Sequence, residues 1–103
     1  MDAEKFRSRL GEVAVTDSHI ERKRKDTEEW RKIEEKFSDR KIIDEIHFSK
    51  VEEIELATNS VYPNIKIRQD GSWKRMFFHI GDPVQEIYSE LEKRFNAYKQ
   101  AYQ

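Results

Sequence analysis

The stretch from Asn64 to Gln103 constrains the fold more than any other, because it reads without a break as strand, tight turn, strand and closing helix. Asn64-Ile65-Lys66-Ile67-Arg68-Gln69 alternates in the period of a half-buried strand. Asp70-Gly71 supplies the positive φ angles of a two-residue type I′ turn. Ser72 to Ile80 runs back as a second strand, rich in aromatics. Gly81-Asp82-Pro83 then stops the strand and opens a helix. Asp82 suits the cap, Pro83 the first turn, and Gln85 the capping-box spacing. Val84, Ile87, Tyr88, Leu91, Phe95, Tyr98 and Tyr102 follow at helical spacing, and Val84, Ile87, Leu91 and Phe95 are expected to form its core face.

Composition sets the limits around this unit. A chain of 103 residues makes one domain, 1–103, with a modest core. Only 36% of residues are hydrophobic and 40% are charged, so the surface is densely ionic. The net charge of −1 gives no global field toward nucleic acid or anionic membrane, and any such binding needs a local patch. Cysteine is absent, which excludes disulfides, thiol nucleophiles and cysteine metal sites. No apolar run approaches the roughly 20 residues of a spanning helix, and Met1 to Arg7 carries no signal-peptide core. The expectation is a soluble, cytoplasmic protein.

Upstream of Asn64 the pattern is less regular. Residues 1–10 read as a short helix or tail, with Phe6 and Leu10 on one side and Gly11 ending it. Glu12 to Thr16 reads as a strand and Asp17-Ser18 as a turn. His19 to Lys25 fits either an exposed strand or the start of the next helix. That inserted helix, near 27–38, has Asp26 and Glu29 at cap and capping-box positions, and Trp30, Ile33 and Phe37 on one narrow face. A stripe that narrow covers an edge or opening and does not cross a core. Lys41 to His47 and Val51 to Leu56 read as strands, and Thr58 to Pro63 as a loop. About six strands, an inserted helix and a closing helix give an α+β fold: a curled antiparallel sheet or partial barrel closed by the C-terminal amphipathic helix.

Three segments resemble the pleckstrin-homology-like superfold, specifically the small prokaryotic PH-like and GRAM-like domains. Val13-Ala14-Val15-Thr16-Asp17-Ser18-His19-Ile20 looks like that family's strand–Thr-Asp–strand corner. Ile46 to Leu56 is similar to its Ile-Pro-x-Ser-Asp-Ile segment, with His47 in place of the proline and Lys50 in place of the aspartate. Gly81-Asp82-Pro83 and the helix after it resemble the closing helix. The chain departs from the pattern at residues 26–40, which read as helix. The resemblance implies a binding or assembly module, not an enzyme, and oligomers are common among such domains. It does not by itself imply lipid binding, because the fold carries many functions.

Two basic patches are candidate binding sites. Arg22-Lys23-Arg24-Lys25 offers four cations to lipid headgroups, nucleic-acid phosphates or an acidic protein, although Asp26, Glu28 and Glu29 follow directly. Its structural reading is an exposed strand edge on which cations discourage pairing. The second patch is the hairpin. A two-residue turn sets Arg68 opposite Trp73 and Lys66 opposite Arg75, so one face carries Lys66, Arg68, Trp73 and Arg75, with Phe77 and His79 further along. Cations beside aromatics bind single-stranded nucleic acid or anchor a protein partner. In the structural reading Trp73 and Phe77 pack against another element and the cations solvate the sheet. Asp44, Glu45, Glu52, Glu53 and Glu55 form an acidic counterpart, either a solvated face or a mate for a second subunit's basic hairpin.

His19, His47 and His79 have no metal-ligand spacing, and no nucleophile motif, phosphate loop or carboxylate pair is present. The expectation is therefore no catalytic residue, metal or cofactor. It is a non-enzymatic module for protein interaction or self-assembly, a homo-oligomer, with nucleic-acid or anionic-lipid binding as the alternative.

Overall fold

In the computed structural model, which describes residues 3–59 and 61–102, the elements follow the order β1 (Glu4–Phe6), β2 (Gly11–Val15), β3 (His19–Arg24), α1 (Glu28–Lys36), β4 (Glu45–His47), β5 (Glu53–Ala57), β6 (Asn64–Gln69), β7 (Ser72–Phe77) and α2 (Val84–Tyr102). The architecture is α+β. β1-β2-β3-β4 form one antiparallel sheet and β5-β6-β7 a second, each strand beside its sequence neighbour. The two sheets do not close into a barrel. They are linked where Ile42 bridges Arg75 in parallel and the Ile43 amide donates to the Arg75 carbonyl at 3.0 Å.

The hairpin forms in the register that its turn dictates: Arg68 opposes Trp73, Lys66 opposes Arg75 and Ile65 opposes Met76. Asp70 and Gly71 both take positive φ, 51° and 77°, as a type I′ turn requires. β7 ends at Phe77, short of the expected Ile80: the Phe78 amide still donates in register to the Pro63 carbonyl at 2.7 Å, but Pro63 has no N–H to return the bond and the ladder stops there.

α2 seats Val84, Ile87, Leu91 and Phe95 in the main core, against Val13, Val15 and Ile20 of the first sheet and Ile65, Ile67 and Met76 of the second. Full burial of one such side chain contributes about 1.5–3 kcal/mol, so this helix face is a large share of the core energy. Its entry differs from the expected cap. The Asp82 carboxylate turns back to accept from the Arg9 amide at 3.0 Å and the His79 amide at 2.8 Å.

α1 lies over a separate, smaller cluster. Trp30 and Ile33 pack there with Leu10, Ile42 and Phe77, and Phe37 lies against Phe77 with ring centroids 4.6 Å apart. Its N-cap is Thr27 and not Asp26, with no side-chain cap bond.

Three further expectations are corrected. The helix read over residues 1–10 is absent from the described part of that segment, and Met1 and Asp2 lie outside the described residues. Glu4–Phe6 pairs instead with Val13–Val15. Phe6 packs against the main core and Leu10 enters the α1 cluster, so the two apolar residues serve different clusters and do not share one helix face. His19–Arg24 is a strand and not the start of the next helix: it pairs with β2 along its length and with β4 over His19–Glu21, the Arg22 amide adds a bond to the Asp44 carbonyl, and Lys23 and Arg24 extend past β4 in the open. The strand read over Lys41 to His47 is divided into a 3₁₀ turn at Asp39–Lys41, the bridge at Ile42 and the short β4. Gly11 opens β2 with φ 135°, and a Cβ there would meet the Lys23 carbonyl oxygen at 2.0 Å.

Candidate functional site: the basic surface of the hairpin

Strand alternation divides the basic run. Arg22 points inward and its side chain has no solvent exposure. Its guanidinium donates to the Phe77 carbonyl, lies 3.4 Å from Asp44, and is flanked by Trp30 at 4.9 Å and Phe78 at 5.1 Å. Burial pushes Arg22 down to about 10, against the opposing pull of Asp44. Arg24 is two residues on, bonded to Asp44 at 2.6 Å, near Glu34 at 3.7 Å, and stacked on Trp30 at 3.8 Å. Lys23 faces the other way, opposite Glu12, and Lys25 follows the strand in the open. The four cations therefore never form one surface.

The hairpin brings its four candidates together as the register requires. Trp73 is partly buried, with the Lys66 ammonium 4.8 Å and the Arg68 guanidinium 5.7 Å from its ring. The expected repulsion between Lys66 and Arg75 is absorbed locally. Lys66 pairs with Glu55 at 3.7 Å, while Arg75 donates to the Asn64 side chain at 3.1 Å. Arg68 reaches Glu53 at 3.1 Å and Glu52 at 3.8 Å. Glu52 also accepts from the Gly71 amide at 2.7 Å, so it ties β5 to the hairpin turn. Phe77 belongs to the same strand face but is only 1% exposed, covered by the α1 cluster.

The acidic residues thus meet their mates within the chain. Glu52, Glu53 and Glu55 face the hairpin's Arg68 and Lys66, and Asp44 holds Arg22 and Arg24. Glu45 remains exposed on β4, opposite Glu21. The first reading of that acidic segment, a solvated face, misses these contacts, because the pairing depends on β5 lying beside β6.

A second set of residues joins this surface through tertiary structure alone. The Asp39–Lys41 turn is fixed against β7 by the Ile42–Arg75 bridge, and the Ser38 hydroxyl accepts the Arg40 amide. Between the turn and the strand lies an open groove of about 610 Å³ lined by Arg40, Lys41, Ser72, Trp73 and Lys74. Lys74 donates to Gln69 at 3.3 Å. Arg40 and Lys41 have no ion-pair partner among the described residues. The sequence offered only an adjacent pair of cations before Ile42-Ile43, with nothing to place them beside Trp73.

The histidines are dispersed. His19 is held by Thr16 and Glu21, His47 bonds Ser49 and meets the edge of Tyr98, and His79 bonds the Ile80 carbonyl. Among the described residues no three histidine, aspartate or glutamate side chains are grouped to hold a metal, and no helix is long and apolar enough to cross a membrane. Comparison with family models, with curated proteins and with solved structures finds no match to this chain.

Proposed function

We propose that this chain is a non-enzymatic, PH-like interaction module that binds protein, its own copies included. The observation that carries the reading is the internal neutralisation of the basic patches. Lys66, Arg68, Arg22 and Arg24 are each held by carboxylates of the same chain. A phosphate-binding surface keeps its cations free to release counterions, and this one has committed most of them. The order of a four-stranded meander, a three-stranded meander and a closing helix is compatible with the PH-like architecture that the sequence motifs resemble. Exposed apolar side chains, Tyr102 above all at 74% exposure, offer contact area of the kind protein partners use.

Sedimentation equilibrium across protein concentrations, with parallel titration of a labelled single-stranded oligonucleotide and anionic vesicles, tests the proposal. The expected result is a concentration-dependent oligomer and no saturable binding of either anion at physiological salt. A strict monomer that takes up oligonucleotide or vesicles with a steep salt dependence overturns it.

A further inference from the structure

We infer that the groove between the Asp39–Lys41 turn and β7 is a docking site for an acidic, extended segment of a protein partner. The inference rests on the reading of the chain as a protein-interaction module and names the partner's chemistry.

The argument starts from the asymmetry around Trp73. On one side, Lys66 and Arg68 approach its ring and are balanced by Glu55 and Glu53 of the neighbouring strand β5. β5 alternates Glu53 and Glu55 with Ile54 and Leu56, so its carboxylates meet the cations while its apolar side chains pack toward the core. On the other side, the groove presents Arg40 and Lys41 beside the same indole, with Ser72 and Lys74 completing its wall, and among the described residues no carboxylate lines it. The chain itself shows which chemistry satisfies such a surface: an extended strand that alternates acidic and apolar residues. The groove lacks that occupant and has the charge to take one.

Its position is built in. The Ile42–Arg75 bridge, the Ile43 amide bond to the Arg75 carbonyl and the burial of Ile42 under α1 hold the turn against the strand. Binding then costs little backbone order, and only the exposed Arg40 and Lys41 side chains need to settle. A long polyanion fits less well. Beyond Trp73 the next cations, Lys66 and Arg68, are already paired with Glu55, Glu52 and Glu53, so a long polyanion finds no continuous cationic track, while a short acidic segment needs only the groove.

The test uses the full chain, ¹⁵N-labelled, titrated with the peptide acetyl-Glu-Ile-Glu-Leu-Glu-amide. Its lysine counterpart, acetyl-Lys-Ile-Lys-Leu-Lys-amide, and a short oligothymidylate serve as comparison probes. The chain has two tryptophans, and their indole N–H signals separate the groove from the core. Trp30 is buried with its indole N–H bonded to the Leu10 carbonyl, whereas Trp73 lines the groove. The acidic peptide is expected to shift the Trp73 indole and the Arg40, Lys41 and Lys74 amides saturably, leaving Trp30 in place. The double variant Arg40→Glu/Lys41→Glu is expected to weaken binding by about tenfold or more, and Lys23→Glu on the opposite sheet to leave it unchanged. Because Arg40 and Lys41 are exposed, an unaltered spectrum elsewhere certifies the variant's fold.

No saturable shift in the wild-type chain, equal binding by the double variant, or equal binding of the lysine peptide overturns the inference. Tighter oligothymidylate binding lost in the double variant also overturns it and assigns the groove to nucleic acid. If the peptide fails while sedimentation still shows an oligomer, the groove falls and the interaction-module reading stands.

Discussion

Arg22 on β3 donates its guanidinium to the main-chain carbonyl of Phe77 at the end of β7, a bond spanning 55 positions that ties the two sheets together. The same side chain separates the two apolar clusters, with Trp30 of the outer one on one flank and Phe78 of the main core on the other. A buried cation of this kind is costly in isolation, and Asp44 at 3.4 Å compensates only from a partly exposed position.

Arg22→Ala should therefore destabilise strongly. It orphans the Phe77 carbonyl, at about 1–3 kcal/mol, and removes the packing between Trp30 and Phe78. Arg22→Met keeps most of the packing and should recover part of the loss. Arg22→Lys should recover little, since an ammonium cannot serve the carbonyl and Asp44 in the same planar geometry. Urea unfolding of the three variants gives the order. If Arg22→Ala unfolds at the wild-type midpoint, the guanidinium does not join the sheets.

Leu91→Ala should cost about 2–5 kcal/mol, the range for truncating a large aliphatic side chain at a packed site. Leu91 is 1% exposed between both sheets. Leu91→Asp should abolish cooperative thermal unfolding. An unchanged melting transition would mean that α2 is appended to the fold and does not complete its core.

Much of this core was legible in the sequence because periodicity reports burial directly. Val84, Ile87, Leu91 and Phe95 stand on one helical face, and the Asp70-Gly71 turn alone set Arg68 against Trp73. Features that depend on distant contacts were not. β1 is three residues long and gains its place by pairing with Val13–Val15, a partnership that local pattern does not encode. Arg22 sits in a run of four cations, which reads as surface; only the alternation of an inner strand turns it inward. Arg40 and Lys41 reach Trp73 through a bridge between Ile42 and Arg75, two positions far apart in the chain. The pairing of Glu53 and Glu55 with the hairpin is hidden for the same reason: their charge is plain in the sequence, but the strand that they lie beside is not.

Gly11→Ala should destabilise by about 1–3 kcal/mol, the usual cost of a backbone forced from a strained region. The position has φ 135°, and an added Cβ would lie 2.0 Å from the Lys23 carbonyl oxygen. Because that oxygen is main chain, relief requires β2 and β3 to separate. Gly71→Ala also meets a positive φ, but with open space around it, so its penalty should be smaller. Comparing the two by chemical denaturation isolates the steric part.

Acid should weaken the α2 surface through Glu90. Its hydrogen bond to Arg94 holds the carboxyl below the usual value of 4.5, and the same bond raises Arg94. A carboxyl held low in the folded state stabilises fully above its ordinary value, and the contribution is lost as pH falls through the lowered one. Glu90→Gln should thus be less stable than wild type at neutral pH, by a modest surface-pair increment, and the two should converge as acidification carries the carboxyl below its lowered value. A difference between wild type and Glu90→Gln that is constant across this range would exclude the pair as its source.

Self-association, if it rests on the surfaces described, should depend little on salt. The charged strands that might have paired between copies are already paired within one: Glu55 with Lys66, Glu53 with Arg68, Asp44 with Arg24. Left exposed is the end of α2, where Tyr102 lies 4.5 Å from Tyr98, and Tyr98 in turn meets Phe48 and His47. Aromatic burial is not screened by ions, so the dissociation constant should move little between low and high salt. Tyr102→Ala should weaken the assembly by more than about 1 kcal/mol per interface, as truncation of a contributing aromatic does. Its side chain is exposed in the single chain, so folding stability should not change. Light scattering over protein and salt concentration measures both. An assembly that falls apart in high salt while Tyr102→Ala leaves it intact would place the interface on the charged strands, and would require the internal pairs of Lys66 and Arg68 to exchange partners between copies.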